Sequence, residues 1–250
     1  MGIQSMLLFL LSLNVVMFVG FGFAVKRLGI PGWRKTISVV LFGAVLFGWF
    51  FLMARLGESG TFAQGEVITL PPPILIALLA PIVVFLAVFR FLPSAREVAT
   101  AVPLTWLIGV QVTRVLGAVF LVRYAQGKMP GEFAIPAGVG DVLIGLTAIP
   151  VAWAVFNRRR NAKTLARFWN WAGILDLVIA IFLGFSTSPT PLQWLALDRP
   201  SQLDFPLVMV PTFGVPLMII LHLLSLWIIR HRWPQCEFEN QKHEAEIEVA

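Results

Sequence analysis

The chain has 250 residues, of which 58% are hydrophobic and 13% charged, and its mean hydropathy is +0.84. This composition excludes a soluble globular domain, which needs more polar and charged side chains to cover its surface, and it predicts a membrane protein. The net charge of +6 resides in short loops between apolar runs, which is a topology signal, so we expect no nucleic acid among the partners.

Seven apolar runs have the length of about 20 residues that a helix needs to cross a lipid bilayer. They cover residues 3–25, 36–56, 71–92, 98–122, 138–156, 164–186 and 206–230, and the run at 138–156 is the shortest. We therefore predict an all-α, polytopic bundle of about seven transmembrane helices in residues 1–230. The polar, glutamate-rich segment 231–250 is expected to be a disordered cytoplasmic tail.

The basic residues are distributed unevenly between the two sets of loops. Fourteen Lys and Arg residues follow the odd-numbered runs, whereas four lie in the other loops and one, Arg114, lies inside a run. Because cytoplasmic loops of membrane proteins are enriched in Lys and Arg, the N-terminus is expected outside and the C-terminus in the cytoplasm. The loop at 126–134 is then external, and residues 157–163 are cytoplasmic.

Three ionisable residues fall inside the predicted spans: Arg114, Asp141 and Asp176. A charge in hydrocarbon costs about 2.5–3.5 kcal/mol even on the lenient insertion scale, so such residues are the first candidates for substrate or ion binding. Counted along each helix, they lie about 12, 5 and 15 Å from the outer ends of their spans. Gln111, one turn from Arg114, and Glu132, in the outer loop, complete the candidate set.

Structural interpretations stand beside this functional one. Asp141, at the start of the run 138–156, has the position of a residue that caps a helix and meets its positive dipole. Arg114 with one aspartate can be a salt bridge that only joins helices. Asp176 is in mid-span and cannot be a cap. If Arg114 neutralises one carboxylate, one negative charge remains, and a proton or a bound cation must compensate it.

Small residues accompany each charge at helical spacing, which allows helices to pack closely in lipid. They are Gly117 and Ala118 near Arg114, Gly138, Gly145, Ala148 and Ala152 near Asp141, and Ala172, Gly173 and Ala180 near Asp176. We therefore expect spans four, five and six to form the core. The segments AGVGDVLIG (137–145) and AGILDLVIA (172–180) also share four positions, as an inverted repeat or by coincidence.

Sequence motifs for common catalytic chemistry are missing from the chain. It has no GxSxG, no HExxH and no phosphate-binding loop, and a single cysteine provides no metal-ligand set. Retinal attachment needs a lysine inside a span, and no lysine lies inside a predicted run. A bis-histidine haem needs two intramembrane histidines, and of the three histidines only His222 lies inside a predicted run. We expect no catalytic residue, no metal site and no cofactor.

The stretch 114–141, RVLGAVFLVRYAQGKMPGEFAIPAGVGD, contains Arg114, Gly117, Phe120 and Leu121, followed by a PxxFAxPAGxGD pattern. It resembles a pattern found in uncharacterised multi-pass bacterial membrane proteins. The resemblance covers about 28 residues and carries no known activity. It implies that Arg114 and Asp141 belong to one unit with the outer loop, and that the protein resides in a bacterial plasma membrane.

Three functions remain open on the sequence alone. The first is a transporter of a small solute or ion, with proton coupling, in which Arg114 binds an anionic group or pairs with Asp141 while Asp176 carries a proton or cation. The second is a non-catalytic sensor or assembly component whose charges hold the bundle together. The third is a lipid-modifying enzyme that uses Asp141, Asp176 and Glu132. In each case the lipid bilayer is a partner.

Overall fold

The computed structural model describes residues 3–62, 71–189, 193–197 and 204–233, and these form helices without strands. In chain order the α-helices are α1 (Ile3–Lys26), α2 (Gly32–Glu58), α3 (Pro73–Phe91), α4 (Pro93–Ala99), α5 (Leu104–Gly109), α6 (Ala118–Ala125), α7 (Gly131–Phe156), α8 (Ala162–Thr187) and α9 (Val215–His231). A 3-10 segment, Val110–Gly117, joins α5 to α6, and a π-helical segment, Val210–Gly214, precedes α9.

Seven helical stretches are long and apolar enough to cross a membrane, which confirms the predicted all-α multi-pass architecture. The fourth span consists of α5, the 3-10 segment and α6, and the seventh consists of the π-helical segment and α9. Of the predicted tail, residues 231–233 are described; residues 234–250 lie outside the described part of the chain.

Two predicted boundaries are wrong, and a proline explains each. The fifth span starts at Gly131, seven residues before the predicted 138, because Pro130 sets the backbone for entry into α7 and the first turn tolerates the polar Glu132. The fourth span starts at Leu104 and not at 98, because residues 98–103 complete α4 and a turn that ends at Pro103. The fifth span is thus 26 residues long rather than short.

Contacts between loops agree with seven alternating crossings. Arg34, in the first turn of α2, lies 3.9 Å from Glu97 in α4, and Arg232, after α9, donates to the Thr100 carbonyl at 3.3 Å. The loops after the first and third spans and the end of the seventh therefore lie at one end of the bundle. The predicted topology requires this arrangement.

Helix α7 lies between the fourth and sixth spans, and these three are the spans that the seams of small residues predicted to pack together. It packs along α8 on one side and along α5, the 3-10 segment and α6 on the other. Buried alanines on its inner faces, Ala134, Ala137 and Ala148, leave room for the neighbouring backbones. The seventh span, which was not predicted to join this core, packs against α8, α5 and α3.

The irregular start of the seventh span has an identifiable cause. Pro216 has no N–H, so the carbonyl of Thr212 has no donor at the position where an α-helix would supply one. The indole Nε1 of Trp49 in α2 donates to this carbonyl at 3.2 Å. A side chain from a neighbouring helix thereby satisfies the freed group within the membrane.

Candidate functional site

Arg114, in the 3-10 segment, is the centre of a buried polar cluster. Its Nε donates to Asp141 Oδ1 at 2.8 Å, and Nη2 donates to Asp176 Oδ2. Nη1 donates to the carbonyl of Gly173 at 3.3 Å and to Nε2 of His222 at 3.2 Å. A guanidinium has five N–H donors, so four of them have acceptors on three other spans. The side chain of Arg114 is only 3% exposed.

Both aspartates pair with Arg114, so neither carboxylate of the cluster is left without a partner. Their similar depths allow this. Arg114, Asp141 and Asp176 each lie ten or eleven residues from the ends of their spans at Ala125, Gly131 and Thr187. All three therefore lie about 15 Å from these ends, roughly at mid-membrane. For Arg114 the distance is slightly longer, because the rise per residue is larger in the 3-10 segment. The longer α7 moves Asp141 inward from the predicted 5 Å.

The helix-capping interpretation of Asp141 is wrong for the same reason. Helix α7 begins at Gly131 with Pro130 at its N-cap position, and Asp141 lies almost three turns further on. A residue in mid-helix cannot accept from the free N–H groups of the first turn. The ion pair with Arg114 is thus the interaction that compensates its burial.

Glycines allow the charged side chains to come together. A Cβ at Gly117 would overlap the side chain of Asp141, and one at Gly140 would overlap that of Asp176. A Cβ at Gly173 would overlap the ring of His222. The predicted seam residues Gly117 and Gly173 therefore lie against the cluster itself, and Gly140 adds a third such position.

His222 in α9 is part of the cluster and links Arg114 to Asn170 of α8. Its Nε2 faces Arg114, which has only donors to offer, so Nε2 must accept and the ring proton resides on Nδ1. Nδ1 lies 2.9 Å from Oδ1 of Asn170, and the Asn170 amide donates to the carbonyl of Ala166 at 2.8 Å. His222 is thereby neutral in this arrangement. Its position as the one histidine inside a predicted run was the available signal.

The other two predicted candidates lie apart from this network. Gln111, one turn before Arg114, is fully buried, and neither polar atom of its side chain has a hydrogen-bond partner among the described residues. Glu132 is exposed and lies in the first turn of α7, not in a loop. The structure thus brings together Arg114, Asp141 and Asp176 and leaves Glu132 at the helix end.

A cavity of about 550 Å³ reaches the cluster from one end of the bundle. Its lining starts near the ends of α2 and α8, at Glu58 and Ser188, and extends down to Asp141. Its lining residues come from α2, α3, α6, α7, α8, the π-helical segment and the start of α9. Under the predicted topology the cavity opens at the outer end.

The cavity lining is apolar and acidic. Five phenylalanines line it: Phe62, Phe120, Phe133, Phe185 and Phe205. Three carboxylates, Glu58, Asp141 and Asp204, are also present, and no Lys, Arg or His is among the described residues of the lining. Glu58 also lies 3.6 Å from Arg55, with both side chains well exposed. The cavity therefore presents negative charge at its mouth and at its base.

The charges of the cluster do not balance. Arg114 supplies one positive charge, and Asp141 and Asp176 supply two negative charges when ionised, beside a neutral His222. An uncompensated charge at mid-membrane is costly, so the set favours one further positive charge. A proton or a cation can supply it. Within the described residues, no group of three or more His, Cys, Asp and Glu side chains is arranged to hold a metal ion.

Residues 71–230 match the family model of a domain of unknown function, DUF8737. The chain belongs to the DUF8737 family. The DUF8737 region covers spans three to seven and includes every member of the Arg114 cluster, while α1 and α2 precede it. Neither the curated proteins nor the solved structures include a significant match to the chain. The DUF8737 match therefore defines the unit that carries the cluster and assigns no activity to it.

Proposed function

We propose that this protein is a proton-coupled transporter of a small solute or ion in a bacterial plasma membrane. One observation carries the proposal: a cavity from one end of the bundle reaches the ion-paired Asp141 at mid-membrane depth. Binding sites of secondary transporters lie near the bilayer midplane and are reached from one side at a time. A cavity that is open at one end of the bundle and closed at a charged cluster corresponds to a transporter whose site is open to one side.

The contacts suggest distinct roles for the charged residues. Arg114 already donates to four acceptors within the protein, so we assign it as a fixed counter-ion and not as the group that binds a substrate anion. Asp141 faces the cavity and is the carboxylate that meets the transported species. Asp176, on the far side of the guanidinium, stays ionised as a partner of Arg114, and Asp141 carries the proton when no cation is bound.

Irregular backbone lies next to the cluster and the cavity. The 3-10 segment carries Arg114, and residues Val210 and Pro211 of the π-helical segment line the cavity. Short 3-10 and π segments inside longer helices are frequent at functional sites and hinges. We propose that these two segments change conformation when the cavity closes on one side and opens on the other.

The test is a flux measurement on the full chain in liposomes loaded with a pH-sensitive dye. Gradients of Na⁺, K⁺, amino acids, amines and quaternary ammonium ions are applied one at a time, and the internal pH is recorded. We expect at least one gradient to move protons through the wild-type protein, and Asp141→Asn to lose this response. The exposed Glu132→Gln is the matched control and keeps it. Internal pH traces identical to those of protein-free liposomes for every gradient would contradict the proposal.

A second candidate is a non-catalytic sensor or assembly component whose charges hold the helices together. The observation in its favour is the extent to which Arg114 is satisfied within the bundle, by acceptors on three other spans. Under this function Asp141→Asn and Asp176→Asn lower stability but have no transport to abolish. The flux measurement and a thermal unfolding measurement on the same variants separate the two functions.

A further inference from the structure

The cavity beside Asp141 combines carboxylates with phenyl rings, and this combination specifies a class of ligand. We propose that the cavity binds a monovalent organic cation with an apolar body, and that this cation and a proton exclude each other at Asp141. The inference deepens the proposed transport function and rests on it by naming the substrate class of the same site.

The lining selects for positive charge on an apolar body. Ring faces of phenylalanine attract cations. Phe120 and Phe133 both line the cavity and pack edge to face, with their ring centroids 5.2 Å apart. An anion would meet Asp141 at the base and two more carboxylates, Glu58 and Asp204, at the mouth. The volume of about 550 Å³ lies within the range of about 300–1,000 Å³ that small-molecule sites occupy.

The charge balance limits the cluster to one added positive charge. Asp141 faces Arg114 from the fourth span, and through this guanidinium it is coupled to Asp176 on α8 and to the neutral His222 on α9. With one proton or one monovalent cation the cluster is neutral. With both it would carry a net positive charge at mid-membrane, which is costly. The two species therefore compete.

Exchange at this site balances without any further reactant. The organic cation enters the cavity, and the carboxyl O–H bond of Asp141 breaks with the electron pair staying on the oxygen. The proton leaves to water, and the carboxylate forms an ion pair with the cation. Glu58 and Asp204, nearer the mouth, attract the incoming cation before it reaches Asp141.

Tetraphenylphosphonium is the probe, because it carries one positive charge on an apolar, aromatic body. Its binding to the purified full-length protein is measured by titration calorimetry across a pH series, in buffers of different ionisation enthalpy. We expect affinity to fall as pH falls, by up to about tenfold per pH unit, with proton release that approaches one per cation bound at the acid end. Tetraphenylborate, with the same shape and a negative charge, is expected to bind at least tenfold more weakly.

The variants assign the effect to the cavity. Asp141→Asn should bind tetraphenylphosphonium at least tenfold more weakly and release no proton, while the exposed Glu132→Gln behaves as the wild type. Phe133→Leu should weaken binding several-fold and retain proton release, because it removes a ring and leaves the carboxylate. If Asp141→Asn does not fold, Phe133→Leu still tests whether the cation binds in this cavity.

Three results would overturn the inference: no binding of tetraphenylphosphonium, an affinity that does not change with pH, or equal affinity for tetraphenylborate. Failure of the transport proposal looks different. Proton-releasing cation binding without flux in liposomes would remove the transporter and leave the cation site. Proton flux driven by another solute, with no binding of tetraphenylphosphonium, would retain the transporter and remove the cation site.

Discussion

Gly145 of α7 lies directly against the backbone at Val115, the residue that follows Arg114. A Cβ at position 145 would stand 2.6 Å from the main-chain nitrogen of Val115, and the backbone cannot move aside as a flexible side chain would. This contact sets how closely α7 approaches the 3-10 segment. It therefore also sets the distance between the guanidinium of Arg114 and the carboxylate of Asp141.

The first prediction concerns this contact. Gly145→Ala should destabilise the protein by about 1–3 kcal/mol, because the added methyl forces α7 away from the segment that carries Arg114. The measurement is thermal or denaturant unfolding in detergent. Gly48→Ala is the matched control, since Gly48 lies within α2 with no atom within 4 Å of an added Cβ. Equal stability of the two variants would show that the close approach of α7 is not required.

The second prediction concerns the shared guanidinium. Arg114→Leu leaves two carboxylates buried without a counter-ion, and we expect a loss of about 3–5 kcal/mol. Because both aspartates pair with Arg114, neutralising one of them should restore only part of the loss. The triple variant, which adds Asp141→Asn and Asp176→Asn, should be more stable than either double variant in the same unfolding measurement. A triple variant no more stable than Arg114→Leu alone would contradict the pairing.

The third prediction tests the satisfied carbonyl of Thr212. Trp49→Phe keeps an aromatic ring but removes the donor, so the carbonyl is left unpaired and stability should fall by about 1–3 kcal/mol. Trp171→Phe is the control, because Trp171 is 57% exposed on α8. If Trp49→Phe and Trp171→Phe unfold at the same temperature, the indole hydrogen bond contributes nothing measurable to stability.

The fourth prediction is the tautomer of His222. Nitrogen NMR of ¹⁵N-histidine-labelled protein should show one protonated and one unprotonated ring nitrogen, with the proton on Nδ1. The changes His231→Ala and His243→Ala leave a single histidine to observe. Asn170→Leu should shift the Nδ1 signal, because it removes the acceptor at 2.9 Å. A ring protonated on Nε2 would be incompatible with the hydrogen bond from Arg114.

The fifth prediction is the orientation in the membrane. Reporter fusions should place Lys128, in the turn between α6 and α7, outside the cell, and residues 157–163 in the cytoplasm. The turn is confined to residues 126–130, because α7 begins at Gly131. An external signal from 157–163, with a cytoplasmic one from Lys128, would invert the topology and place the cavity mouth on the cytoplasmic side.

The sequence determined the class of fold and the identity of the charged residues. Apolar runs must form helices in a bilayer, because the backbone has to satisfy its own hydrogen bonds there, so run length alone predicts seven spans. The cost of burying charge in hydrocarbon singled out Arg114, Asp141 and Asp176 by their positions within these runs. Small residues at helical spacing indicated which faces of α7 and α8 pack closely.

The tertiary structure decided which groups meet. The depth of Asp141 depends on where α7 starts, and hydropathy could not locate that start because the first turn contains Glu132 and two prolines flank it. The inclusion of His222 depends on how the seventh span packs against α8, a contact between residues far apart in the chain that no local pattern encodes. The cavity is lined by residues from six helices and the π-helical segment, so its presence depends on how these elements pack together. Hydropathy reports how far each residue prefers lipid to water, whereas the cluster and the cavity arise from the relative placement of helices, which packing alone fixes.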